Sequence, residues 1–384
     1  MAEPPHMIPL ARPDITQHEI DAVVAVLRTP ELSLGPRLPE FERLMAARAG
    51  TRHAVAVNSG TSALHLCIRA LGIADGDEVV TTPFSFVASA NCILFERAKP
   101  VFVDIDPVTL NLDPALVEKA ITPRTKAVLA VHVFGLPCDM ALITAIARTR
   151  GIPVIEDACE AIGATVNGAQ AGSLGDCGTF GFYPNKQMTT GEGGVVVTNR
   201  EDIARLSASM RNQGRDDGMG WLNHARLGYN YRLSDVNCAL GIAQLGRLDE
   251  MLAARVQVAA WYDEELTSHA PQVERPCTPP PGSTRSWFVY VVQLPRGYSV
   301  AQRNELIMHL RGRGVGSSQY FPCIHLQPLY TEAFGFRRGA FPVAERTSDR
   351  SLALPFFNRM PRAAVATVAV ELRSWLNSHP PHEH

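Results

Sequence analysis

Through the first two thirds of the chain, short runs of apolar and β-branched residues alternate with stretches whose apolar positions recur every three or four residues. The β-rich runs fall at 54–57, 78–81, 100–103, 127–133, 152–155, 179–183 and 195–198, and the helical patterns between them at 61–71, 89–98, 114–121 and 140–150. Strand, helix and strand in turn predict an α/β fold: a mainly parallel seven-stranded sheet with helices on both faces. The last two runs differ, because only a short Gly-rich link joins Tyr183 to Val195. That is too little for a crossover helix, so this pair is expected to be antiparallel. From about Ser234 the pattern is helical to 268, with a break near Gly246. The proline-rich stretch 271–283 reads as a connector. A strand at 287–294, a helix at 301–311, irregular segments and a helix at 362–376 then make a smaller α+β unit. The expected division is a large domain over 1–245 and a small C-terminal domain over 246–384.

Length agrees, since 384 residues exceed the usual range of a single core. The charged fraction of 19% and net charge of −2, with no long run of like charge, argue against a nucleic-acid or membrane-surface partner, which need a basic face. No stretch approaches the ~20 apolar residues of a spanning helix, and residues 1–7, with Glu3 and two prolines, lack the apolar centre of a signal peptide. The eight cysteines are scattered with no CxxC pair, so reduced thiols in a cytoplasmic protein are expected, and no metal site. The histidine-bearing tail 379–384 reads as a frayed end.

In open parallel sheets ligands gather at the carboxyl ends of the strands, and four features fall there. Asn58-Ser59-Gly60-Thr61-Ser62 follows the first strand and opens a helix, where free N–H groups and a positive dipole end suit a phosphate. An ordinary N-cap turn has the same composition. Glu156-Asp157-Ala158 ends a very apolar strand, so a carboxylate there wants a cationic partner such as a protonated pyridine nitrogen, or else serves as a cap or structural ion pair. Lys186, after Phe182-Tyr183-Pro184-Asn185, sits where an amine can lose its proton and form a Schiff base; a surface lysine beside a hairpin loop is the alternative. Phe84-Ser85-Phe86 offers a ring to stack on a planar cofactor, or to pack in the core.

Taken together, Ser59-Gly60-Thr61-Ser62-Ala63-Leu64, Glu156-Asp157-Ala158, the stretch from Tyr183 to Gly194 and Gly228-Tyr229-Asn230-Tyr231-Arg232 resemble the DegT/DnrJ/EryC1/StrS sugar aminotransferases, pyridoxal-phosphate enzymes of fold type I. The resemblance runs from Leu34-Gly35-Pro36 to Leu354-Pro355-Phe356. It implies that Lys186 carries pyridoxal 5'-phosphate, that Asp157 holds the pyridine nitrogen, that Phe86 covers the ring and that Gly60 and Thr61 take the phosphate. Asn230 would reach the phosphate in a neighbouring subunit, implying a homodimer with shared sites. Two positions depart from the commoner pattern: Gly181 stands where many members have a phosphate-binding Ser, and Glu160 where many have Gln or His near the cofactor's phenolic oxygen. Acidic residues there resemble members that aminate C4 of the sugar, such as perosamine-type synthases.

The implied reaction takes an amino group from a donor such as glutamate and places it on the ketone of a 4-keto-6-deoxy sugar nucleotide, with Lys186 moving the proton. His325 and Arg232 are candidates for gripping the substrate, a structural His and a surface Arg being the alternatives. Two rival functions are an aminotransferase for a non-nucleotide ketone, such as an aminocyclitol precursor, and a pyridoxal-phosphate-binding regulator without turnover. Intact Lys186, Asp157 and Thr61 speak against the regulator. A sugar dehydratase is excluded, since that subgroup resembles this fold with His in place of Lys186.

Overall fold

A computed structural model describes residues 7–220 and 222–381; residues 1–6, Trp221 and the last three residues of the histidine-bearing tail lie outside the described residues. The strands in chain order are β1 (His53–Val57), β2 (Glu78–Thr81), β3 (Lys99–Phe102), β4 (Thr125–Val131), β5 (Val154–Asp157), the two-residue β6 (Thr165–Val166) and β7 (Ala169–Gln170), β8 (Cys177–Gly181), β9 (Gly194–Thr198), the short β10 (Ser283–Thr284), β11 (Tyr290–Gln293) and β12 (Ser351–Leu354). Seven of them form one sheet in the order β1-β9-β8-β5-β4-β2-β3. β3, β2, β4, β5 and β8 pair in parallel, whereas β9 runs antiparallel to both β8 and β1. The expected α/β fold with a mostly parallel seven-stranded sheet is therefore observed, as is the antiparallel pair at its end.

Alternation along the strands sends side chains to opposite faces. Val55, Val57, Val79, Leu129, Val131 and Val196 pack in one buried cluster with residues of the helix Gly60–Ala70. Val80, Val128, Ala130 and Val154 pack in another with the helix Met140–Arg150. Ala56, Val195 and Val197 meet Phe41 and Met45 of the helix Arg37–Ala49. With both faces covered, the strands read as nearly continuous apolar runs. A separate core lies further along the chain, where β11 and β12 pack with the helices Leu248–His269, Val300–Gly312 and Arg362–Ser378 around Tyr262, Tyr290 and Trp375.

The structure shifts several boundaries. β5 begins and ends two residues later than the apolar run predicts, so Glu156 and Asp157 are its last two residues rather than a loop beyond it. β4 stops at Val131 because a 3-10 turn forms at Val133–Gly135. The segment read as irregular after residue 311 contains the helices Pro328–Phe334 and Pro342–Arg350 as well as β12. Three helices fall outside the strand–helix alternation: Gln17–Leu27, Arg37–Ala49 and Glu201–Arg211. The first opens on a Thr16/Glu19 capping box, and buried Glu19 also accepts hydrogen bonds from Gln244 (2.9 Å) and Arg247 (2.7 Å). One side chain thus caps a helix and ties it to the helix Asp235–Gly246. Among the described residues no helix is long and apolar enough to cross a membrane.

Candidate active site

A cavity of about 480 Å³ opens at the carboxyl edge of the sheet, and Gly60, Thr61, Phe86, Asp157, Glu160 and Lys186 all line it. They arrive from four strand ends or the turns after them, so the sheet brings together residues up to 126 positions apart (Gly60 to Lys186).

The helix Gly60–Ala70 starts directly after β1. Ser59 caps it, its Oγ accepting from the Ser62 N–H at 3.0 Å, and Ser62 Oγ donates to Asn58 Oδ1 at 2.7 Å. The first N–H groups of a helix have no partner within it, so Gly60 and Thr61 carry free donors at the cavity wall. Gly60 is required by close approach: a Cβ there would lie 3.0 Å from Cys159 Sγ and 3.3 Å from Gly181 Cα.

Because neighbouring strand residues point to opposite faces, Glu156 and Asp157 have different surroundings. Glu156 is fully buried away from the cavity and accepts from the N–H groups of Gly172, Leu174 and Gly175 (2.6–2.8 Å) and meets His132 Nε2 at 2.9 Å. It organises the turn before β8. Asp157 lines the cavity, with Ser89 Oγ donating to its Oδ2 at 2.7 Å and the Cys159 N–H to its Oδ1 at 3.2 Å. Ser89 in turn lies 2.8 Å from Ser85 Oγ, so the loop bearing Phe86 is coupled to the Asp157 carboxylate.

Lys186 follows β8 in a turn closed by its N–H to Tyr183 C=O at 2.9 Å. Buried Arg255 holds its carbonyl at 3.1 Å, and Nζ stands 3.9 Å above the Phe288 ring. The same Nζ is 3.5 Å from Glu160 Oε1, while Glu160 Oε2 accepts from the Phe134 N–H at 2.9 Å. Burial pushes the Glu160 carboxyl above the ordinary range; Lys186 and the Phe134 N–H pull against this, and Asp157 adds to it.

Phe86 is 61% exposed, a large ring left uncovered at the cavity mouth. Asn230 and Arg232 do not line the cavity. Asn230 is exposed, in a segment pinned by its own C=O to Asn58 and by a bridge to Asn212. Its flanking Tyr229 and Tyr231 stack with centroids 4.8 Å apart, Tyr231 bonding buried His65 and Tyr229 its partner Glu96. Arg232 donates to Asn212 Oδ1 at 3.1 Å. His325 does not reach the cavity: it is fully buried, with Nε2 3.0 Å from Glu345. The substrate contact expected of it has no access to a ligand in this arrangement.

Sequence reasoning assigned no role to Ser89, Asn185, Phe288 or Tyr320, yet all four line the cavity. The Ser85/Ser89 spacing of four, one helical turn, was the available signal for the first. Among the described residues no cluster of metal-ligating side chains occurs.

The DegT/DnrJ/EryC1/StrS aminotransferase family model matches residues 13–373. The chain is 43% identical over 324 residues to GDP-perosamine synthase of Caulobacter vibrioides, covering 84% of this chain and 86% of that protein. Among solved structures it is similar to S. venezuelae DesV in complex with a ketimine intermediate, with 35% identity, 94% of each chain covered and a TM-score of 0.86. It is also similar to the PLP-form of Spr1654, a putative sugar aminotransferase from Streptococcus pneumoniae, with 26% identity, 97% and 99% of the chains covered and a TM-score of 0.91.

Proposed function

The chain belongs to the DegT/DnrJ/EryC1/StrS aminotransferase family, and from that premise we propose that it uses pyridoxal 5'-phosphate to move an amino group from an amino acid such as glutamate to the ketone of a nucleotide-linked 4-keto-6-deoxyhexose. The observation that carries this reading is the convergence of Lys186, Asp157 and the Gly60/Thr61 helix start on one cavity. The residues present fit the cofactor. The cavity is of ligand-binding size, the close approach at Gly60 brings a helix N-terminus to its wall, and a buried carboxylate and a lysine amine both line it.

Bound pyridoxal phosphate supplies an electron sink and a temporary carrier for the amino group. The protein's own residues do the rest. Gly60 and Thr61 N–H groups hold the phosphate, and Asp157 keeps the pyridine nitrogen protonated, its carboxylate oriented by Ser89 and the Cys159 N–H. Phe86 closes over the ring and excludes water. Lys186 Nζ would hold the cofactor and, when free, would act as the acid–base group that moves a proton between substrate carbon and cofactor in each half of the exchange. Glu160, with its raised carboxyl 3.5 Å from that Nζ, can hold or share a proton beside it.

The acceptor reading rests on the similarity to GDP-perosamine synthase and on the acidic residue at 160, which favours C4 amination. We assign the large domain to 1–245 and the small one to 246–384. Exposed Asn230, which does not line the cavity of its own chain, supports a homodimer in which it bonds the phosphate in the partner's site. The experiment is a two-stage assay of the purified protein: glutamate is added and released 2-oxoglutarate measured, then a 4-keto-6-deoxy sugar nucleotide is supplied and the product weighed by mass spectrometry. Formation of the amino sugar, lost in Lys186→Ala, is expected. Turnover by Lys186→Ala within tenfold of the unaltered chain would overturn the assignment.

A further inference from the structure

Once the groups proposed to hold the cofactor are set aside, the cavity wall keeps two polar side chains next to the reacting lysine: Asn185 and Tyr320. Asn185 immediately precedes Lys186. Its carbonyl oxygen Oδ1 is buried and has no hydrogen-bond partner, and Tyr320 shares the same wall. A buried acceptor left unmade is costly, on the order of the desolvation of the group itself, and calls for an explanation. The Tyr320 ring packs against Phe134 and Phe288, at centroid distances of 6.2 and 6.4 Å. Burial first, and the Glu160 charge next, raise the Tyr320 hydroxyl so that it stays neutral.

We propose that Asn185 is a specificity-determining residue that accepts a hydrogen bond from a hydroxyl on the sugar carbon next to the ketone. The inference rests on the keto-sugar reading above. The chemistry of the two substrates selects between them. An amino acid's carboxylates are acceptors only and would set negative oxygen against the Asn185 carbonyl, and its amine is committed to the place of Lys186. A sugar offers a neutral O–H, the group an orphaned carbonyl takes. In a 4-keto-6-deoxyhexose the carbon beside the ketone that bears a hydroxyl is C3. A site built to bond a hydroxyl rejects an analogue lacking it far more strongly than an apolar pocket rejects a small change in size.

The test separates the two halves of the reaction in single-turnover measurements on the holoenzyme. In Asn185→Ala the acceptor half, with a 4-keto-6-deoxy sugar nucleotide, is expected to slow ten- to a hundredfold more than the donor half with glutamate. With the 3-deoxy form of the same acceptor, the unaltered enzyme and the variant should agree within about threefold. Calorimetric affinity for the aminated sugar nucleotide should fall by a similar factor, a readout that needs no turnover. Asn185→Ser serves the same comparison if the alanine variant does not fold. Equal slowing of both halves, or an unchanged acceptor half, overturns the role of Asn185. An unaltered enzyme that completes the donor half but aminates no sugar nucleotide overturns the keto-sugar reading instead.

Discussion

Ser89 donates a 2.7 Å hydrogen bond to the carboxylate of Asp157, and both side chains are almost wholly buried. The bond joins two walls of the cavity, for Ser89 stands one turn after Ser85 and the exposed ring of Phe86. Ser89→Ala leaves Asp157 one donor short and Ser85 without its partner. Hydrogen bonds to charged groups contribute about 1.5–3 kcal/mol, so pyridoxal phosphate retention should weaken roughly tenfold or more. Equilibrium dialysis measures it, and Ser89→Thr, which keeps the hydroxyl, should recover most of the loss. Unchanged retention in Ser89→Ala would mean that Asp157 is positioned by the backbone alone.

Glu160 lies 3.5 Å from Lys186 Nζ, so it sets the charge beside the nitrogen that binds the cofactor. Removing a nearby anion favours the deprotonated, neutral nitrogen. Glu160→Gln should therefore lower the pH at which the holoenzyme changes colour, by about one unit or ~1.4 kcal/mol. Spectrophotometric titrations of the two proteins decide it, and superimposable curves would place Glu160 outside the cofactor's proton inventory.

Gly181 occupies the place where many members of this family have Ser, and the structure shows what fills the room. A Cβ at 181 would lie 3.3 Å from Cys159 Sγ and 3.5 Å from its Cβ. Gly181→Ser alone should crowd that thiol and bring no gain in cofactor affinity. Cys159→Ala with Gly181→Ser frees the space for a hydroxyl donor, and should tighten pyridoxal phosphate binding about three- to tenfold relative to Gly181→Ser alone. Equal dissociation constants for the single and double variants would show that Cys159 does not obstruct the position.

Glu19, which does not line the cavity, makes an acid-stability prediction. Burial raises its carboxyl, but the hydrogen bonds from Thr16, Arg247 and Gln244 outweigh this and bring it from the ordinary 4.5 down to about 2. A depressed carboxyl contributes stability above about pH 4.5 that is lost as pH falls through about 2. After allowance for solvent screening the contribution is on the order of 1–2 kcal/mol. Urea midpoints measured from pH 6 to pH 3 should fall less steeply for Glu19→Gln than for the unaltered chain. Parallel slopes would assign the acid sensitivity to other carboxylates.

Much of the layout was legible because the parallel sheet imposes it. Apolar runs at regular spacing mark strands, the short 183–195 link marks the antiparallel pair, and the carboxyl ends of β1, β2, β5 and β8 lead into Gly60, Thr61, Phe86, Asp157, Glu160 and Lys186, which line the cavity. Other relationships depend on packing that no local pattern encodes. The pairing of His325 with Glu345 requires the helix Pro342–Arg350 to fold back over it. Asn185, with its unpartnered Oδ1, shares the cavity wall with Tyr320, more than a hundred positions later in the chain. The two-residue displacement of β5 arises because strand ends are set by the neighbours β4 and β8, not by where the apolar run stops.

That displacement makes β5 intolerant of insertions. Glu156 and Asp157 are both acidic, adjacent and buried, and differ by one methylene, yet one anchors a turn and the other lines the cavity. What separates them is phase. An added or deleted residue in the short 151–153 approach that slid β5 by one position would exchange their directions. An insertion would bring Glu156, with its longer reach, to the cavity and Ile155 to the N–H groups of Leu174 and Gly175; a deletion would offer those N–H groups Asp157, with its shorter reach, and turn Ala158 to the cavity. Net charge and the number of carboxylates would be unchanged, and both functions would be lost together. The chain can therefore vary in length at its surface turns, but the count of residues leading into β5 is itself part of the chemistry.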